Sequence, residues 1–294
     1  MQQRMTIPFA KLDGAGNDFV VIDARRHPIN LTEEQIAHLC HRRFGIGADG
    51  LMTLGIRDGY DFEMKYYNAD GALGSMCGNG GRCITAFAHM MGICPSDGQA
   101  YRFVGYDGEH RATLVQWDGQ TARGIVALAM NDVAAVQPLH HGCFLDTGSP
   151  HYVEMVRDVR RYDVVGEGAA LRHNKQLFPQ GTNVDFAEWL ENGHLFVRTF
   201  ERGVEDETYS CGTGVTAAAI VAAAVHRNAP CTPVDGMYHV MVDTLGGSFE
   251  VRFAVPRTVL DNGDNASAAS RYHQIVLQGP VSCNFQGSVQ VAQH

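Results

Sequence analysis

The 294-residue chain has no apolar run of the roughly 18 residues a helix needs to cross a bilayer. It also has no cluster of lysine and arginine. The first absence argues against a membrane protein. The second, with a net charge of −9, argues against a nucleic-acid or membrane-surface partner. Met1 to Lys11 lacks the basic-then-apolar pattern of a secretory signal, and the eight cysteines lack the spacing of a disulfide-stapled small domain. The thiols are therefore expected to be reduced, in a cytoplasm. Cys77 and Cys83 stand six apart without a companion Cys or His pair, so no metal is expected. Gly14-Ala15-Gly16 precedes a strand instead of following one, which excludes a dinucleotide fingerprint. What is present is an ordinary globular composition, 45% hydrophobic and 19% charged, long enough for one large domain or two smaller ones.

Two short stretches stand out, Met76-Cys77-Gly78-Asn79-Gly80 and Ser210-Cys211-Gly212-Thr213-Gly214. Each places a cysteine and Gly-x-Gly ahead of an alanine-rich apolar run that reads as a helix. A thiol at a helix N-terminus meets unpaired backbone N–H groups and the positive end of the dipole, which favour its thiolate. The two cysteines lie 134 positions apart, at 77 and 211, and other segments repeat at nearly the same distance. Gly16–Val20 matches Ser149–Val153, Phe44–Asp49 matches Phe178–Asn183, and Asn68–Gly71 matches Glu201–Val204. A period this long implies two copies of one domain.

Within the first half, Phe19–Asp23 reads as a buried strand. Thr32 and Gln35 form a capping box ahead of Ile36, Leu39 and Cys40. Asp61–Asn68 reads as a strand, and a helix is expected from about Gly81 to Met91. Asp107-Gly108 and Asp118-Gly119 read as hairpin turns. In the second half, strands are expected at 152–155, 184–187, 195–200, 238–242 and 248–253, with a Gly246-Gly247 turn between the last two. Val215–Val225 reads as a helix buried on every side, and Pro256–Arg271 as a solvent loop. A last strand around Gln274–Gln278 is expected to pair back into the first half. The organisation expected is an α/β (α+β) chain of two duplicated halves, 1–130 and 131–271, with 272–294 returning to the first.

A matched pair of capped cysteines suits proton transfer at carbon. An α-hydrogen of an amino acid is weakly acidic, and inverting the centre takes one base on each face. A thiol whose pKa is lowered by a helix start allows one thiolate and one thiol to coexist. The adjacent glycine-flanked amides form a cradle for a carboxylate and its developing charge.

Lys11–Asp23, Asn68-Ala69-Asp70-Gly71, Cys77-Gly78-Asn79-Gly80-Gly81-Arg82-Cys83, Glu201-Arg202-Gly203, Cys211-Gly212-Thr213-Gly214 and Leu277-Gln278-Gly279-Pro280 resemble diaminopimelate epimerases over nearly the whole chain. The resemblance implies two pseudo-symmetric halves, each a curled mixed sheet around a central helix. It implies a cofactor-independent isomerase interconverting LL- and meso-diaminopimelate, on the route to lysine and cell wall. Cys77 and Cys211 would be the acid/base pair, with His151 and Glu201 beside them. Backbone groups of Gly78, Asn79, Gly212 and Thr213 would hold the reacting carboxylate. Asn17, Asn68, Asn183, Glu201 and Arg202 would grip the ligand, Arg202 through the distal carboxylate. The expected partner is this small molecule, and a homodimer is among the expectations.

Three departures stand against the family pattern: Gly50 where glutamine is common, Ser149 where asparagine is common, and one extra residue between Glu201 and Cys211. Plainer readings exist for each residue. A free cysteine is usually a small buried hydrophobe, and Cys40, Cys83, Cys94, Cys143, Cys231 and Cys283 are assigned to packing. His151 alone would be structural, the three asparagines could be turn residues, and Glu201-Arg202 could be an exposed ion pair. The competing functions are a proline or hydroxyproline racemase on the same scaffold, or a binding or redox protein that kept the fold.

Overall fold

The computed structural model describes residues 4–26, 29–74, 77–225, 230–255 and 272–292. The chain forms two compact units, residues 1–128 with 279–294, and residues 129–278. In the first unit β1 (Arg4–Gly14) and β2 (Asn17–Asp23) form a hairpin, followed by α1 (Glu33–Cys40), β3 (Gly50–Gly55), β4 (Phe62–Asn68) and β5 (Leu73–Gly74). Next come α2 (Gly78–Met90), β6 (Tyr101–Gly105), β7 (Gly108–Asp118) and β8 (Arg123–Ala129). Strands β2 and β3 are parallel, β3 and β4 antiparallel, β4 and β6 parallel, and β6 to β8 a meander.

The second unit repeats this order. Its elements are β9 (Gln137–Leu139), β10 (Gly142–Asp146), β11 (Pro150–Met155), α3 (Val164–Arg172), β12 (Asn183–Trp189), β13 (Leu195–Glu201) and β14 (Asp206–Thr208). They continue through α4 (Gly212–Ile220), β15 (Met237–Asp243), β16 (Ser248–Ala254) and the start of β17 (His273–Ala292), which from residue 279 belongs to the first unit. Strands β11 and β12 are parallel, β12 and β13 antiparallel, and β13 and β15 parallel, as in the first unit.

The ladders test the repeat residue by residue. Phe19 lies opposite Gly50, and Tyr152 opposite Val184, which reproduces the offsets of 133 and 134. One match shifts. Gly50 faces Asn68 while Val184 faces Phe200, and the left-handed glycines are Gly71 (φ 93) and Gly203 (φ 95). Asn68 therefore corresponds to Phe200, and Glu201 to Ala69, one residue from the sequence alignment.

Each half packs apolar strand faces against helices. Ile36, Leu39 and Cys40 of α1 meet Ile7, Val20, Ile22 and Leu51, and the Thr32–Gln35 capping box is formed as expected. Tyr152, Val184, Phe186, Phe196 and Phe200 pack with Val164 of α3. Burial of such side chains contributes about 1.5–3 kcal/mol each. Helix α2 is buried from Gly78 to Ala88 and begins three residues before the expected Gly81, because Cys77 itself is the N-cap. Every residue of α4 except Thr213 is buried, and the helix continues into a π-helical turn over Val221–Val225. Small side chains allow this: alanine loses no rotamer freedom on burial and lets strands approach closely.

The three glycine-marked hairpins form between β6 and β7, β7 and β8, and β15 and β16. Helix α3 was not anticipated; its N-cap is Asp163, whose carboxylate accepts the Gly166 N–H. The last-strand reading is corrected. Val276, Leu277 and Gln278 pair with β16 in the second unit, and residues 282–292 pair with β1 in the first. The reading of 256–271 as a solvent loop lies outside the described residues.

Candidate active site

Both singled-out cysteines are helix N-caps. Cys77 caps α2 with extended backbone (φ −103, ψ 154), and its Sγ accepts the Gly80 N–H at 3.2 Å. The packing at Gly80 is close, since a Cβ there would lie 3.3 Å from that sulfur and 3.4 Å from Met52 Sδ and Met64 Cε. Cys211 caps α4 in the same extended state, with Sγ 3.3 Å from Thr213 Oγ1. The first turns of both helices thus carry the glycine-flanked amides next to a thiol.

Around Cys77 the groups are amides and cations. Asn17 donates through Nδ2 to Asp49 at 2.7 Å, which turns its Oδ1 toward Cys77 Sγ (3.8 Å) and Asn79 Nδ2 (3.4 Å). Asn79 Oδ1 accepts from Arg82 at 2.9 Å, and Arg82 also donates to the Gly78 carbonyl. Arg82 is fully buried, and burial pushes its guanidinium down to about 10, so it remains a cation at neutral pH. Behind Asn17, Asp18 and Asp49 share Arg42, and Lys11 bonds Asp18 at 2.6 Å. Burial pushes the Asp18 carboxyl up, but the bonds from Arg42 and Lys11 prevail and hold it at about 2.

Around Cys211 the groups are a histidine and two carboxylates. His151 on β11 and Asp185 on β12 are both fully buried, with Nδ1 2.6 Å from Oδ2. Thr199 on β13 donates to the other oxygen of Asp185 at 2.7 Å. His151 Nε2 lies 2.9 Å from Thr213 Oγ1, 3.0 Å from Ser149 Oγ and 3.3 Å from Asn183 Nδ2. Burial, then the negative charges of Glu201 and Asp185, push the Cys211 thiol well up. Burial and the two carboxylates thus oppose, at Cys211, the thiolate-favouring effect expected of a helix start.

The remaining sequence-assigned residues fall as follows. Asn183 is buried and engaged with the protein: Nδ2 donates to Ser149 Oγ and the Pro150 carbonyl, and Oδ1 accepts the Arg202 N–H. Asn68 is exposed at the end of β4, where its backbone closes the Gly71 turn, and its Oδ1 would lie 3.1 Å from a Cβ at Gly74. Glu201 is half-buried at the end of β13, and Arg202 beside it is exposed. Among the described residues the Arg202 backbone N–H donates to Asn183 Oδ1. Of the six cysteines assigned to packing, Cys40, Cys83, Cys143 and Cys283 are buried, Cys231 is half-buried, and Cys94 is exposed. Burial pushes Cys40 up to about 11 and pushes Cys83 well up too. The cluster residues missed from sequence are Asp185, Thr199, Asp49 and Arg82. Asp185 had a signal: it is the one charge in the apolar stretch Val184–Ala187.

The family model for diaminopimelate epimerase matches residues 9–126 and 143–265, both capped cysteines included. The chain belongs to the diaminopimelate epimerase family. The diaminopimelate epimerase of Chlorobaculum tepidum is 49% identical over 212 residues, covering 71% of this chain and 81% of the relative. That of Flavobacterium psychrophilum is 37% identical over 283 residues, covering 95% and 98%. A crystal structure of a hydroxyproline epimerase from Agrobacterium vitis, with bound trans-4-hydroxy-L-proline, shares the fold at TM-score 0.67 and 16% identity, covering 99% of this chain and 94% of that one.

Two departures from the diaminopimelate epimerase pattern have local causes. A Cβ at Gly50 would lie 2.5 Å from the Tyr66 ring and 2.6 Å from the Tyr67 carbonyl, so Tyr66 fills the space a glutamine would enter. Ser149 replaces an amide with a hydroxyl that bonds His151, Thr213 and Asn183 together. The glycine at 214 is equally constrained, since a Cβ there would lie 2.3 Å from Asp185 Oδ1 and 3.2 Å from His151 Cε1. Gly214→Ala is expected to lose about 1–3 kcal/mol in urea denaturation through overpacking, whereas unchanged stability would show that the helix start can move off the carboxylate.

Proposed function

We propose that the chain interconverts LL- and meso-2,6-diaminopimelate without a cofactor, using Cys77 and Cys211 as the two bases. The observation that carries this reading is the pair of thiols, each capping a buried helix at the same point of a duplicated fold. In the forward step a thiolate removes the α-hydrogen. The electron pair is delocalised into the adjacent carboxylate, and the other thiol returns a proton to the opposite face. The protonation states of the two sulfurs are then exchanged, and must be reset before the next turnover in the same direction.

The surroundings support an assignment in the resting enzyme. Cys211 is buried beside Glu201 and Asp185, which together favour its protonated form, so it serves as the acid. Cys77 has the buried Arg82 cation and a donated helix N–H beside it, the environment of a thiolate base. Backbone N–H groups at Gly78, Asn79, Gly212 and Thr213 take the reacting carboxylate, where charge develops. The exposed guanidinium of Arg202 takes the distal carboxylate, and the side chains of Asn17, Asn68 and Glu201 contribute polar contacts. Asn183 acts by holding the Arg202 backbone in place. A substrate with an amino-acid group at each end needs this second anchor, which a proline ring does not.

Proton exchange from D₂O into LL- and meso-diaminopimelate, followed by NMR with reductant and no cofactor, tests the reading. Incorporation with interconversion is expected, and exchange with proline or hydroxyproline alone would assign the scaffold to a different substrate. Cys77→Ala and Cys211→Ala should each lower turnover by about 10³-fold or more while the fold persists, since each removes one proton-transfer group. Substantial epimerisation by either would eliminate the two-base mechanism. Arg202→Met should raise KM by roughly 10- to 100-fold, the loss of a charge-assisted pair of about 1.5–3 kcal/mol, and an unchanged KM would remove Arg202 from the site. At pH 7, iodoacetamide should label Cys77 at least about tenfold faster than Cys211, as thiolate reactivity requires. Equal rates, mapped by peptide mass, would refute the resting assignment.

A further inference from the structure

We propose that Asp185 is a positioning residue, which holds His151 as the neutral Nδ1–H tautomer and so keeps Nε2 an acceptor on the Cys211 side of the cluster. This rests on the epimerase reading, and it adds a residue to which that reading gives no part.

The tautomer is set by the carboxylate end of the imidazole. Nδ1 faces the Asp185 carboxylate at 2.6 Å, so it carries the proton. In the neutral ring this leaves the lone pair on Nε2. Nε2 is therefore an acceptor; Asn183 Nδ2 lies 3.3 Å away, with its two hydrogens already directed at Ser149 Oγ and the Pro150 carbonyl. The Ser149 and Thr213 hydroxyls, at 3.0 and 2.9 Å, can both donate to it. Once the Thr213 hydroxyl donates to Nε2, its oxygen is left to accept from Cys211 Sγ at 3.3 Å. The direction of the chain, sulfur to Thr213 to His151 to Asp185, follows from the carboxylate at its end. A proton leaving Sγ can pass to Nε2 through the hydroxyl, giving a thiolate and an imidazolium with no proton gained or lost.

A buried carboxylate is costly unless it is paired, and an apolar residue of similar size is often as stable. The duplication supplies the comparison within one chain. Val20 lies opposite Leu51 in the first unit, and Val153 opposite Asp185 in the second. The same parallel ladder thus forms with leucine at the matching position, so the fold itself does not call for a carboxylate there. Asp185 is held by two hydrogen bonds, from His151 and Thr199, and the first turn of α4 is pressed against it at Gly214. The other titratable groups at this cluster are Glu201 from β13 and Cys211 from α4.

Imidazole ¹⁵N NMR of the ligand-free, histidine-labelled protein near neutral pH reads the tautomer directly, with His151→Gln identifying the signals. The expected spectrum has a protonated Nδ1 and an unprotonated Nε2. An Nε2–H tautomer in the wild type would overturn the proposal, whether or not any variant folds. In Asp185→Asn the amide can offer an N–H to Nδ1, so the tautomer should invert or mix. Turnover should then fall, by up to about 10⁴-fold, the loss found where an orienting carboxylate is neutralised in a catalytic triad. KM should stay within about threefold, and the pH profile of kcat should shift. Wild-type turnover, or a loss of turnover with the Nδ1–H tautomer and pH profile retained, would reduce Asp185 to a structural residue. The spectrum is recorded without substrate, so its outcome is separate from that of the D₂O exchange.

Discussion

The turn that follows each capping cysteine is closely packed. At Gly80 a Cβ would lie 3.3–3.4 Å from Cys77 Sγ and two methionines, and at Gly214 it would run into the Asp185 carboxylate at 2.3 Å. The Cys-Gly-x-Gly pattern is therefore a packing constraint before it is a chemical one. It lets the strands close onto the helix start, leaves the first amides unencumbered, and brings the thiol against whatever groups the strands supply.

What they supply differs between the two units, and this asymmetry separates the thiols. Beside Cys77 stand a buried guanidinium and the two amides of Asn17 and Asn79. Beside Cys211 stand Glu201, Asp185 and the imidazole between Asp185 and Thr213. One topology thus places two thiols among different polar neighbours. The sequence repeat matches His151 with Asp18, and that pair marks the divergence: Asp18 is neutralised by Lys11 and Arg42, while His151 is oriented by Asp185.

Much of this was legible before any coordinates. The capping box at Thr32, the glycine hairpins, the buried alanine helix and the duplicated cysteine context are all short-range patterns, and local physics sets them. The parts that were not legible depend on registers and partners. Glu201 was aligned with Asn68 because both precede a turn, but the ladders place it opposite Ala69 in the repeat. Helix α3 contains Gly166 and Gly168, which lower its propensity, so only its Asp163 cap and the repeat itself announced it. The negative environment of Cys211 is legible only in part, through Glu201; the burial and the Asp185 carboxylate are not. It arises from β12 and β13, distant in sequence, and it opposes the helix-start effect that acts locally.

The departures from the family pattern follow the same logic of substitution in place. Tyr66 makes an edge-on contact with Phe19 and covers the position where residue 50 would extend a side chain. A glutamine at 50 and this placement of Tyr66 exclude each other, so the two positions must change together. Ser149 is shorter than asparagine, yet its hydroxyl can both donate and accept, which an amide nitrogen cannot. That versatility matters where one acceptor, His151 Nε2, is shared by three neighbours. A hydroxyl at 149 can follow the imidazole as it gains or loses a proton, donating to Nε2 in one state and accepting from it in the other. With serine at 149 the hydrogen-bonded path from Cys211 through Thr213 to His151 is complete.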